Sequence, residues 1–416
     1  MAENRSLRDA GWMAAPQSVH VGAHLDHGAR ALTNEITYTW VREVPDLDAL
    51  EASWRALEAD DTTTLFQTYD WVRHWCRHYV EQPRKSFARS RQNCLAIVVG
   101  RVAGRVVTIW PLTQKCGVRT ARLEWLGAPV SQYGDALFAR DVDPALVARA
   151  SLDFLSQHSE ADALVLNKVR DDSPLTAALE ACNATCTGTD TAPFLSLAAG
   201  TDPTHANDVF PAKARKNRRR HRRRLREEGD VSFDVALPGE EAAALVAEAF
   251  AFKRAWLRKN GRVSFAFADD RIDSFFASLA SGHAAPRIVP TVFVLRCGET
   301  PVAINIGFVS GETLLIHVAA YNPAFERFSP GSLLFEDSIR WACAQNLTAF
   351  DLMSPGDAYK RDWTSDTVIV RDFALGMTTR GRAWEHVYLR KIRPALKRVI
   401  AGAPQLVRPV KRLFNL

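Results

Sequence analysis

The stretch TVFVLRCGETPVAINIGFVSGETLLIHVAAYNPAFERFSPGSLLFEDSIRWACAQNLTAFDLM, residues 291–353, decides the fold. Its apolar, β-branched runs predict strands over Thr291–Arg296, Val302–Phe308 and Thr313–Ala319. Gly298-Glu299 and Gly311 supply the turns. A helix follows over Gly331–Gln345, then a strand over Ala349–Met353 and a last one over Thr367–Leu375. Two helices precede the stretch, Glu240–Lys259 and Arg271–Leu279.

The first half of the chain reads in the same order. Leu50, Trp54 and Leu57 mark a helix over Leu47–Asp60, and Trp71, Trp75 and Tyr79 mark one over Tyr69–Tyr79. Strands Cys94–Val99, Arg105–Leu112 and Ala121–Leu126 come next, then helix Pro144–Gln157 and strand Ala163–Leu166. Ser173-Pro174 reads as an N-cap and first residue of a helix to Cys182. Order begins near Ile36–Trp40. The repeat predicts two copies of one α/β fold, α+β in its mixed sheets. The expected division is a disordered leader at 1–34, an N-terminal half at 35–200 and a C-terminal half at 201–385. The join lies near 185–212, and a basic tail occupies 386–416.

The 416 residues suit two domains, and 47% hydrophobic with 24% charged residues is a globular composition. The net charge of +6 conceals two basic segments. Residues 213–226 hold ten Lys/Arg and residues 387–416 hold eight, with no acid in either; the rest, +6 less those eighteen, nets −12. The first segment predicts a helix over 212–228, ended at Gly229, whose all-round basicity excludes a core position. The tail, broken by Pro394, Pro404 and Pro409, reads equally as a contact for an anionic membrane surface or as a segment docked on the acidic remainder. The seven cysteines lack the four converging ligands of structural zinc, so we expect buried thiols in a reducing compartment and no metal. No run approaches about 20 apolar residues, and no secretory h-region opens the chain. A cytoplasmic location, peripheral to the inner membrane face if the tail binds lipid, is the expectation.

Chemistry concentrates in two places. Arg327-Phe328-Ser329-Pro330-Gly331-Ser332 joins a strand to a helix, with Ser329 as N-cap and Pro330 as first helical residue. Gly331 admits a close backbone approach, and free N–H groups at a helix start suit a pyrophosphate. A plain capped helix is the alternative. In Asp351–Trp363, a buried strand runs into a Pro-Gly turn followed by Asp357, Tyr359 and Lys360. A tyrosine can protonate a leaving group, and a lysine can stabilise an oxyanion. A surface loop with a salt bridge is the competing reading. His317, within a strand, is either a general base or a satisfied core histidine. Tyr133, in Ser131–Asp135, faces a cleft between the halves or forms a turn.

Four stretches together carry a family resemblance: Trp54…Phe66-Gln67-Thr68…Trp71, Lys213-Ala214-Arg215-Lys216-Asn217, Ser329-Pro330-Gly331 and Asp357-Ala358-Tyr359-Lys360…Trp363. From about residue 38 to 385 the chain resembles the GNAT-superfamily acetyltransferases of cellulose and exopolysaccharide biosynthesis, relatives of the Fem-type aminoacyl transferases. The resemblance implies tandem GNAT folds and acyl transfer, with acetyl the expected group, from acyl-CoA to an amine or hydroxyl of a glycan- or lipid-linked acceptor. Backbone N–H groups near Ile316–Ala319, Val318 among them, would hold the oxyanion, and the helix from Pro330 the donor pyrophosphate. The usual phosphate loop is Arg/Gln-x-x-Gly-x-Gly/Ala; this chain has the single Gly331, after Pro330. Fem relatives use aminoacyl-tRNA, and Lys213, Arg215, Arg218, Arg219 and Arg222 would suit tRNA phosphates, the 3′-phosphate of CoA or an anionic carrier. A nucleic-acid-binding protein is the non-enzyme alternative, although no aromatic residue interrupts the basic run for base stacking.

Overall fold

A computed structural model describes residues 19–21, 36–59, 63–82, 93–116, 120–198, 200–206, 208–262, 264, 266–267, 269–282 and 287–387. Most of the expected leader and the tail from residue 388 lie outside the described residues.

The first half holds β1 (Val19–Val21), β2 (Ile36–Val41), α1 (Val44–Ala49), α2 (Glu51–Glu58) and α3 (Tyr69–Tyr79). Then come β3 (Asn93–Leu95), β4 (Ile97–Val102), β5 (Arg105–Trp110), β6 (Leu112–Cys116), β7 (Ala121–Trp125) and β8 (Leu137–Phe138). They lead to α4 (Pro144–His158), β9 (Ala163–Arg170), α5 (Pro174–Ala181) and β10 (Thr185–Ser196). The second half holds α6 (Ala212–Arg226), β11 (Val231–Ala236), α7 (Glu240–Lys259), α8 (Arg271–Ala280), β12 (Pro290–Cys297), β13 (Thr300–Ser310) and β14 (Thr313–Tyr321). It ends in α9 (Pro330–Ala344), β15 (Ala349–Asp351), α10 (Ala358–Arg361), β16 (Asp366–Gly376) and α11 (Thr379–Trp384).

Two sheets result, ordered β1-β2-β4-β5-β8 and β11-β12-β13-β14-β15-β10-β16-β9-β7-β6-β3. The larger runs unbroken through both halves because the last strands cross over. β10 pairs with β15, β16 pairs with β9, and β10 and β16 pair with each other. Side chains of α3 and α8 meet across the halves: Trp71 lies 5.2 Å from the Phe275 ring. His74 Nε2 lies 3.1 Å from the Phe275 carbonyl oxygen.

Several expectations need correcting. The single strand Arg105–Leu112 is two strands in different sheets, because Pro111 has no N–H to continue a ladder. The helix over Leu47–Asp60 is two, breaking at Leu50. The join near 185–212 contains the twelve-residue β10, whose polar face and Gly188 conceal a strand flanked on both sides. Strand β11 carries Val231, Phe233 and Val235 in alternation, an unused signal. Helix α6 is not wholly solvated, since Arg218 and Leu225 are buried. Not all cysteines are buried either: Cys94 and Cys186 are exposed. Among the described residues no helix is long and apolar enough to cross a membrane, and no His/Cys/Asp/Glu group is arranged to hold a metal.

Candidate active site

The centre of the second half is a gap between parallel strands. β14 and β15 pair at Thr313–Ala349, Leu314–Phe350 and Leu315–Asp351, and then part. β14 continues to Tyr321, while Leu352 turns its N–H to the Pro193 carbonyl of β10 at 3.0 Å. A bulge coincides with the parting. Ile306 faces Val318 but Gly307 faces Ile316, so His317 is the extra residue. Gly307 is needed there: a Cβ would lie 2.9 Å from the Leu315 carbonyl oxygen.

The hydrogen-bond phase sets which backbone groups face the gap. Asn322 N–H bonds the Val302 carbonyl at 2.9 Å. In an antiparallel ladder such pairs alternate with pairs whose N–H and C=O groups point outward. Counting back, Val318 and Ala320 turn their backbone groups to β13, and Ala319 turns its own toward the gap. Consistently, Lys253 Nζ of α7 donates to the Ala319 carbonyl at 3.3 Å.

His317 sits at the inner end of the gap among aromatic rings, with Phe276 at 4.9 Å, Phe66 at 6.0 Å and Trp71 at 6.2 Å. Its Nε2 donates to the Val130 carbonyl at 2.6 Å, an assignment required by the acceptor, and Nδ1 has no partner among the described residues. Burial, reinforced by the charges of Lys168 and Lys360, pushes the imidazole down to about 4 despite the Val130 bond. It is therefore neutral near pH 7. Between about 4 and 6.5 the unfolded chain holds a proton on this ring that the folded chain lacks, so its stabilising contribution is lost as pH falls through that window. Wild type should accordingly lose thermal stability relative to His317→Gln between pH 6.5 and 4. A gap between the two melting midpoints that stays constant over this range would refute that environment.

The far side of the gap is held by buried polar groups. Tyr133 is 2% exposed, and its hydroxyl donates to the Asp351 carboxylate at 2.9 and 3.1 Å. Arg170 lies over the Tyr133 ring at 5.0 Å, and Met353 N–H donates to Asp351 Oδ1 at 2.6 Å. Burial pushes both the Tyr133 hydroxyl and the Asp351 carboxyl upward. Lys360 is 8% exposed, and its Nζ donates to the Leu352 and Met353 carbonyls at 2.8 Å each. Burial pushes it down to about 8. Lys168, pushed down to about 8 in the same way, donates to Gln132 Oε1 at 2.6 Å. Tyr359, 44% exposed, stacks parallel to Phe335 at 6.4 Å, and Asp357 lies 3.8 Å from Arg262.

Helix α9 begins beside the outer end of β14. Ser329 stands at the N-cap with φ +50°, and its side chain caps nothing, unlike the expected serine cap. Pro330 is the first helical residue as expected, and the Ser332 N–H bonds Ser329 O at 3.0 Å. A Cβ on Gly331 would meet nothing closer than Tyr321 Cδ1 at 3.8 Å, and its φ is not positive. Internal packing thus does not demand glycine here, whereas approach of a ligand to the backbone would. The corresponding helix of the first half is closed to anions: Asp143 caps α4 by accepting from Ala145 N–H and Leu146 N–H at 2.9 and 3.2 Å. Val318 is buried in the ladder, and Arg327 pairs with Glu228 at 2.9 Å.

The basic helix divides differently from expectation. Arg218 and Arg222, anticipated as anion ligands, are engaged by α9. Arg218 Nε lies 3.0 Å from Glu336 Oε1, and Arg222 Nη2 lies 2.8 Å from Asp337 Oδ2. Arg215 pairs with Asp208. Lys213 and Arg219 remain exposed. The structure thus gathers His317, Tyr133 and Lys360 around the gap and Ser329–Ser332 at its outer end, with Tyr359 and Asp357 on the α10 side; Val318, expected to hold the oxyanion, instead turns its N–H to β13 because the ladder phase leaves that role to Ala319. Lys168, Arg170, Lys253 and Asp351 escaped the sequence reading. Asp351 alone had a usable signal, an acid closing a buried strand.

Residues 212–361 match the family described as acetyltransferase (GNAT) domain. No curated protein matches the sequence. Among solved structures, FemX is similar with a TM-score of 0.54 at 10% identity, over 82% of this chain and 98% of that one. A tandem GNAT protein from the clavulanic acid biosynthesis pathway is similar with a TM-score of 0.47 at 13% identity, over 83% and 99% of the two chains. L-PGS from Bacillus licheniformis has a TM-score of 0.44 at 13% identity, over 70% and 86%. The C-terminal half thus carries a domain of the acetyltransferase (GNAT) type, within a mixed α/β fold similar to that of FemX.

Proposed function

We propose that the protein moves an acyl group, acetyl in the simplest case, from a pantetheine thioester such as acyl-CoA to a hydroxyl or amine of an exopolysaccharide or cell-envelope precursor. The parting of β14 and β15 carries this reading. It leaves a slot, with the Ala319 N–H aimed into it and the uncapped start of α9 at its mouth. The acceptor oxygen or nitrogen attacks the thioester carbonyl. The Ala319 N–H stabilises the oxyanion, the C–S bond breaks, and the thiolate leaves with the acceptor's proton. Tyr359 is assigned the delivery of that proton, while Tyr133, Asp351 and Lys360 hold the slot's far wall. The domain division at 200/201 and a peripheral membrane contact through the tail belong to the same proposal.

Thermal unfolding with millimolar acetyl-CoA tests the donor. At about 100 times its dissociation constant a ligand adds about 2.7 kcal/mol. A raised midpoint in wild type, abolished in Gly331→Val, is the expected result. An unchanged wild-type midpoint removes CoA as donor. The second reading is a Fem-like aminoacyl-tRNA donor, favoured by the exposed cations of α6, and it requires RNase-sensitive transfer.

A further inference from the structure

We propose that the acyl group arrives on an acidic carrier protein, as a thioester of its phosphopantetheine arm, and that the outer face of α6 is where this carrier docks. The inference rests on the thioester reading above. One face of α6 is committed to the fold through Arg218, Arg222 and Leu225. Opposite lie Lys213, Lys216, Arg220, Arg223 and Arg224, at steps of three, four, three and one, all exposed and without an ion-pair partner among the described residues. At 1.5 Å per residue this stripe is about 17 Å long.

Its position ties it to the donor. Arg222 Nη2 donates to the Leu333 carbonyl, in the first turn of α9, at 3.3 Å. Arg224 lies over the Phe328 ring at 5.8 Å, directly ahead of Ser329 and Pro330. The stripe therefore runs away from the mouth of the slot. That mouth is a poor diphosphate cradle. Pro330 has no N–H, and those of Ser332 and Leu333 bond Ser329 O at 3.0 and 3.3 Å, which leaves Gly331. One open amide suits the single phosphodiester of a carrier-bound arm better than the diphosphate of CoA. A stripe of this length also exceeds the reach of the one ribose phosphate of CoA.

The chemistry of the stripe selects the carrier. It has no aromatic residue on which bases could stack, and no apolar row to enter a lipid surface. Closely spaced guanidinium groups match the carboxylates along a helix of an acidic protein.

Fluorescence anisotropy with a labelled, acetylated bacterial acyl carrier protein decides the matter, using the full chain and its Lys216→Glu/Arg220→Glu/Arg223→Glu variant. Saturable binding by wild type, weakened at least tenfold in the variant and by added salt, is the expected result. Acetyl-pantetheine should raise the melting midpoint of both chains equally, which shows the variant folded and its slot intact. Equal carrier affinity for the two chains overturns the proposal. So does tighter binding of unfractionated tRNA that the same substitutions abolish. If neither the carrier nor acetyl-pantetheine binds wild type, the thioester reading itself falls.

Discussion

Glu336→Ala should lower stability by about 3–5 kcal/mol, the range for removing one partner of a buried ion pair. Helix α6 has ten Lys/Arg and buries one apolar side chain, Leu225, so hydrophobic burial holds little of it. It is anchored instead by Arg218, which is 7% exposed, lies 5.0 Å from the Phe210 ring and 4.6 Å from the Trp363 ring, and is balanced by Glu336. Removing the carboxylate leaves a guanidinium in an aromatic box with no counter-charge, and deprives Arg222 of a contact at 3.4 Å. Denaturant unfolding followed by tryptophan fluorescence measures the loss. Arg218→Met/Glu336→Leu should recover most of it, because matched apolar side chains carry no desolvation cost. A loss below about 1 kcal/mol for the single variant, the range of exposed pairs, would mean that water reaches the pair.

Lys360→Met should impair both stability and turnover. From the sequence, a lysine in a turn would affect turnover alone; the buried position changes that expectation. Its two bonds to the Leu352 and Met353 carbonyls fix the backbone where β15 leaves β14, and so set the width of the slot. Hydrogen bonds from charged donors contribute about 1.5–3 kcal/mol each, partly offset here by relief of the buried charge, so a net loss of about 2 kcal/mol is expected. A misplacement of about 1 Å at a reacting centre costs about a hundredfold in rate, read as thiol release from acetyl-CoA with acceptor present. The pH dependence identifies the group. The folded pKa of about 8 lies below the usual 10.5, so the unfolded chain binds the extra proton between those values and stability rises with pH there. That rise should be smaller in Lys360→Met, with Lys168 supplying the remainder. Unchanged stability with reduced turnover would point to direct contact with the reacting atoms; no change in either would remove Lys360 from the site.

Much of this was legible in the residues. Alternating apolar runs separated by Gly298-Glu299 and Gly311 require hairpins, because side chains of a strand alternate between faces. Strands β12 to β14 fall where those runs stand. Ser173-Pro174 and Ser329-Pro330 both mark helix starts correctly. Yet only Ser173 caps with its hydroxyl, which accepts from Leu175 N–H at 3.1 Å, while Ser329 is left-handed and leaves the helix open. That difference is one of backbone dihedrals, to which a Ser-Pro pair is blind.

Local sequence thus determined the types of most elements and their order along the chain, because period, proline and glycine act within a few residues. Tertiary structure alone decided that β10 and β16 change places between the halves, since register is a property of strand pairs. It also decided that Tyr133 reaches Asp351 across 218 residues, that His317 is the bulge, and which arginines of α6 are anchors. Burial and counter-charge set those roles, and both come from distant parts of the chain.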